Sequence, residues 1–128
     1  MPINTQLLRE GRIILQRYDD PLNLKEVSEL AKKIDSDILD NAAKPVHTIT
    51  DARGLTKLPT NFLSASKLSF NHTVHPMAGN NVVVINNSFL GAIAELFIRL
   101  VPQHKLIMCK TMEAGWAEID RILAEEAK

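Results

Sequence analysis

At 128 residues, with 15 basic and 15 acidic side chains, the chain carries no net charge, and only 5% of it is aromatic. That length suits one domain with a working core. Zero net charge gives no drive for non-specific binding to nucleic acid or an anionic membrane, leaving only a local patch open, and so few aromatics argue against a stacking platform for single strands.

Met1 is followed by Pro2 and polar residues rather than by an apolar signal segment, so the cytoplasm is the expected compartment. Ile3–Leu8 and Arg12–Tyr18 read as two short strands around a hairpin turn at Glu10-Gly11, with Ile13 and Leu15 sharing a face. Asp19-Asp20-Pro21 breaks the pattern. Asn23 with Glu26 three residues on resembles a capping box. The helix that follows carries Leu24, Val27, Leu30, Ala31, Ile34 and Ile38 on one stripe. Lys25, Glu29, Lys32 and Lys33 form its solvated face, and it should end near Asn41. Val46–Thr50 reads as a strand ending at Asp51, and residues 53–57 as a polar loop. Leu58-Pro59-Thr60 leads into a helix capped by Thr60, with Phe62, Leu63, Ala65 and Leu68 inside. Residues 72–81, with Pro76, Gly79 and two asparagines, read as the longest irregular and most mobile segment.

The stretch from Val82 to Cys109 organises the rest. Val82–Ile85 is a β-branched run without alternation, which suits a strand covered on both faces. Asn86-Asn87 ends it, and Ser88 is placed to cap a helix running from Phe89 to Val101. The only charges on that helix are Glu95 and Arg99, four apart, and Pro102 stops it. Leu106–Cys109 is the returning strand, in which Cys109, the only cysteine, is a small buried hydrophobe with no disulfide partner. The connection implies a right-handed crossover. Two readings of the apolar helix stay open. Either it packs deeply against the sheet, or a face with Phe89, Ile93, Leu96 and Phe97 meets a second subunit, a protein partner or a lipid-like ligand. It is too short for a membrane span, which needs roughly 20 apolar residues. Thr111 caps the last helix, whose inner stripe is Met112, Trp116, Ile119 and Leu123, and Glu125, Glu126 and Lys128 close the chain in solvent. The element order is β-β-α-β-α-β-α-β-α: a single α/β domain over residues 1–128, with a mixed, mostly parallel sheet of about five strands and four helices.

No catalytic, metal or cofactor site emerges from the motifs. The glycines at 11, 54, 79, 91 and 115 are scattered, so no phosphate-binding loop exists. His72 and His75 have a metal-compatible spacing without a third ligand, and His47 and His104 stand alone. No serine lies in a nucleophile elbow, and the acid pairs Asp19-Asp20 and Asp35/Asp37 read as solvent-facing or capping. The carboxyl edge of a parallel sheet is where ligands sit. Here that edge gathers Asp51, Arg53, Thr56, Lys57 and Thr60, then Asn86, Asn87 and Ser88, then Lys110 and Thr111. Helix N-termini at this edge favour an anion, including a phosphate carried on a hydroxyl; equally, the hydroxyls serve as caps alone.

From about Arg12 onward, the element order and the stretch from Asp51 to Leu63 resemble STAS domains, the fold of bacterial anti-sigma-factor antagonists, and also the related group bordering on CRAL-TRIO lipid carriers. Asp51, Gly54, Leu55 and Leu58 fit the family's frame. Pro59 stands where its second Asp is expected, and Thr60 where its phosphorylatable Ser is expected. The resemblance implies a non-enzymatic regulatory module without a cofactor. It would bind a protein such as an anti-sigma factor or kinase-like regulator through Asp51, Arg53, Lys57, Thr60 and Ser88. A homodimer is compatible. The alternative is a carrier or sensor of a small apolar ligand.

Overall fold

The computed structural model describes residues 3–20, 23–57, 75–88, 91–92, 95 and 105–127. Strands β1 (Ile3–Leu8) and β2 (Ile13–Asp19) form an antiparallel hairpin with Leu8 opposite Ile13. Arg9, Glu10 and Gly11 all take positive φ in its turn, a conformation that glycine adopts without a Cβ clash. Helix α1 (Leu24–Asp37) follows, then a short 3-10 turn at Leu39–Asn41. Strands β3 (Val46–Gly54), β4 (Ala78–Val84) and β5 (Leu106–Cys109) come next, and helix α2 (Met112–Glu126) ends the fold. The strands lie in the order β1-β2-β3-β4-β5, and β2 through β5 are parallel. The parallel pair read into the Val82–Cys109 stretch is therefore present, with Val82 beside Ile107 and Val84 beside Cys109.

Alternation along each strand sorts the core into two layers. Ile13, Ile49, Val82 and Val84 face α2 and meet Ile119 and Ile122. Ile14 and Val46 face the other way and meet Ile34 of α1 and Leu39. On that second face Gln16, Thr48, Thr50 and Asn81 interrupt the apolar surface, and Thr50 Oγ1 donates to Asn81 Oδ1 at 3.0 Å. A Cβ on Gly91 would lie 3.5 Å from Met108, whose register partner Val83 points away from α2. The start of the helix after β4 thus shares a face with α1. Crossovers of one hand that step repeatedly in one direction require this.

Several boundaries differ from expectation. β3 runs three residues past Asp51, because β2 stays paired with it as far as Asp19 opposite Gly54, across a bulge. Leu55, read as part of a polar loop, is buried against Ala52. β4 begins at Ala78, inside the segment read as irregular. Its polar start is held by His47: the Asn80 amide donates to His47 Nδ1 at 2.9 Å, and a Cβ on Gly79 would lie 2.3 Å from the same ring. A side chain from another strand supplies what Gly79, Asn80 and Asn81 lack in strand propensity. β5 is an edge strand, and its four residues are only half-buried.

Among the helices, α1 stops at Asp37, and Ala31 of its predicted stripe is exposed. The buried ridge of α2 includes Gly115 and Ile122, which the stripe omitted, while Trp116 is half-buried with the Arg9 guanidinium 5.2 Å from its ring centroid. Ser88 lies one residue inside its helix: the Asn87 carbonyl accepts the first turn's bond from Gly91 at 2.8 Å, so Asn87 holds the cap position. Ser88, Gly91, Ala92 and Glu95 are helical. The helix expected after Thr60 lies outside the described residues.

Candidate functional site

The carboxyl edge of the sheet is assembled by strand ends. Asp51 is 4% exposed and sits on the α2 face of β3. Its two oxygens accept from Arg53 Nε at 2.8 Å and Nη2 at 3.0 Å, a bidentate fork. The Arg53 amide donates to the same carboxylate at 3.2 Å, and Arg17 approaches it at 3.5 Å from β2. The hydrogen bond from the Arg53 side chain holds the Asp51 carboxyl below the usual carboxylate range; burial opposes the shift without cancelling it. Beside it, Asp20 accepts from both the amide and the hydroxyl of Thr56, which ties the end of β2 to the loop after β3. Those Thr56 bonds also lower the Asp20 pKa.

Of the residues chosen from sequence, Asp51 and Arg53 are brought into direct contact. Lys57 is exposed on the loop that Asp20 braces, and Ser88 is exposed just beyond the end of the neighbouring strand β4. Thr60, Phe89, Ile93, Leu96 and Phe97 lie outside the described residues. Asp20 was missed: its neighbour Asp19 and the following proline gave it the look of a simple turn acid.

A second polar cluster occupies the opposite edge, and sequence reasoning gave no hint of it. His47 is 2% exposed. Because a backbone amide only donates, the Asn80 bond fixes Nδ1 as acceptor and leaves the ring proton on Nε2, which meets Glu126 Oε1 at 2.5 Å. Arg12 pairs with the other oxygen of Glu126 and donates through Nε to the Pro45 carbonyl at 3.1 Å. Burial pushes the Glu126 pKa up, but the hydrogen bonds from Arg12 and His47, with the Arg12 charge, outweigh it and leave the net shift downward. His47 therefore does not stand alone, and Glu126 is not merely a solvent-facing tail residue. Both ring nitrogens are taken, so the cluster tethers the end of α2 rather than offering a free base. His75 is likewise engaged at both nitrogens, by Asp40 at 2.8 Å and the Met77 amide at 3.0 Å. His72 lies outside the described residues.

Neither remaining titratable group of note is activated. Burial, helped by the Glu118 charge, raises the Cys109 thiol pKa, and burial raises that of the Tyr18 phenol to about 12. Cys109 is half-buried rather than fully buried. Among the described residues, a cavity of about 120 Å³ lies between α1 and the sheet, lined in part by Ile34, Leu39, Val46, Thr48 and Asn81. Pockets for small organic ligands run to several hundred Å³. Among the described residues, no helix is long and apolar enough to cross a membrane.

No family model, curated protein or solved structure matches the chain.

Proposed function

We propose that this chain is a cytoplasmic, non-enzymatic interaction domain, similar to anti-sigma-factor antagonists, that docks a protein partner through the carboxyl edge of its sheet. The observation that carries the reading is the Asp51–Arg53 fork. A buried carboxylate holds a guanidinium that is itself 39% exposed, so a positive, planar donor set is presented in a fixed orientation on a strand end. Arginine is enriched at protein interfaces, and preorganised groups lose less entropy on docking. Asp20 and Thr56 stiffen the adjoining loop that carries Lys57. Ser88 follows the neighbouring strand, and Thr60, three residues after Lys57 in the sequence, is the hydroxyl on which a phosphoryl group would change the charge of this edge. The raised pKa values of Cys109 and Tyr18 favour binding over covalent chemistry.

The test is capture of a specific partner on the immobilised chain. Arg53→Gln, Lys57→Glu and Thr60→Glu should each weaken capture, whereas Lys44→Glu, at the opposite edge, should leave it intact. Capture that tolerates all three edge substitutions removes this edge as the interface.

A further inference from the structure

We infer that two copies of this chain join through their β1 strands, antiparallel about a two-fold axis at Thr5, so that the two five-stranded sheets continue as one. β1 ends the sheet, with β2 on one side and no strand on the other among the described residues. Proteins blunt exposed edges with charges, prolines, bulges or very short strands. β1 uses none of these. It is six residues long, reads INTQLL without a charge or proline, and pairs with β2 one-to-one along its whole length. It also carries Leu7, which is 51% exposed.

The other edge is built differently. β5 has four residues bracketed by Lys105 and Lys110. Its shortness and the charges flanking it are both devices that discourage the addition of another strand. β1 is longer, and Arg9, which follows it, is paired with Asp120 of α2.

The register follows from symmetry. In an antiparallel pair related by a two-fold axis perpendicular to the sheet, one residue faces its own copy. With Thr5 on the axis, Asn4 faces Gln6, and Leu7 comes opposite position Ile3. Hydroxyl meets hydroxyl and amide meets amide. An axis at Gln6 would instead set Leu7 against Thr5 and bring Arg9 opposite Ile3. An axis at Asn4 would leave Leu7 without a strand position to face. The two-fold contact uses one β1 edge per chain and leaves the lysine-guarded β5 strands outermost, so assembly stops at two. A contact of one strand pair buries less than a standard stable interface, which makes the dimer concentration-dependent.

Thr5 is exposed, so its substitution leaves the core untouched. The experiment is sedimentation equilibrium over a wide concentration range, with circular dichroism to confirm folding. The native chain should move from 14.3 kDa toward twice that mass. Thr5→Lys and Thr5→Glu should each stay monomeric, because each sets like charges face to face on the axis. Mixed in equal amounts, the two variants should regain the dimer. Three results overturn the inference: a native chain that is monomeric throughout, a dimer that survives in both variants alone, or a mixture that remains monomeric.

Discussion

Asp51 shows how one carboxylate decides the character of an edge. Its pKa lies below the ordinary 3.8, chiefly through the Arg53 hydrogen bonds. A depressed acid contributes stability above its unfolded pKa and loses that contribution as pH falls through its folded value. Asp51→Asn should therefore cost about 2 kcal/mol near neutrality, where charge-assisted bonds are lost. The gap to the native chain should close in urea melts at pH values well below 3.8. A gap that does not depend on pH would mean that the carboxylate is not held by Arg53. Tyr18 offers a cleaner readout, since the chain has only one tyrosine. Its phenolate absorbance should appear near pH 12 rather than 10, because burial disfavours the charged phenolate at this half-buried side chain, whose hydroxyl donates to Gln16 at 2.9 Å. Titration at the ordinary value would contradict that packing. At this scale the sequence was only partly informative. Asp51 and Arg53 are two apart, so their contact was within local reach. His47 and Glu126 are 79 residues apart, and no local pattern reports a pairing made by the final turn of the last helix.

Elements were more legible where their signals are local. Asn23 accepts from the Lys25 and Glu26 amides, and Thr111 from the Ala114 amide, as side-chain spacing alone indicates. The reciprocal half of the capping box is missing, since Glu26 Oε2 has no partner among the described residues. Strand limits were less legible because they depend on neighbours: β4 starts early only because a ring from β3 covers Gly79. The seat of α2 was missed for a related reason. A helical glycine reads as a weakness, yet Gly115 is where the helix touches the sheet. A Cβ there would meet Ile49 and Val84 side chains at 3.0 Å each. Gly115→Ala gains about 1 kcal/mol of helix propensity but overpacks two strands at once, at a cost of roughly 1–3 kcal/mol. The expected outcome is a net loss of thermal stability, measurable by calorimetry. A stabilised variant would show that α2 rides higher over the sheet.

At the scale of the molecule, parallel pairing from β2 to β5 determines what can act together. It gathers Asp20, Asp51, Arg53, Lys57, Ser88 and Thr111 at one end, and leaves the Arg12–His47–Glu126 tether at the other. This architecture was readable because two short aliphatic runs on either side of an apolar, helix-patterned stretch leave few ways to pack. Which strand would be outermost was not readable, since β5 is as apolar as a central strand. The most direct test of the shared edge is a nuclear Overhauser measurement across β4 and β5. Val82 should show cross-strand contacts to residues flanking Ile107, and Val84 to residues flanking Cys109, with the Ile85 amide slowed in exchange by its 3.0 Å bond to the Cys109 carbonyl. Contacts that instead pair Val82 with Cys109 and Val84 with Ile107 would make the strands antiparallel, move Thr111 to the opposite end from Ser88, and dissolve the proposed site.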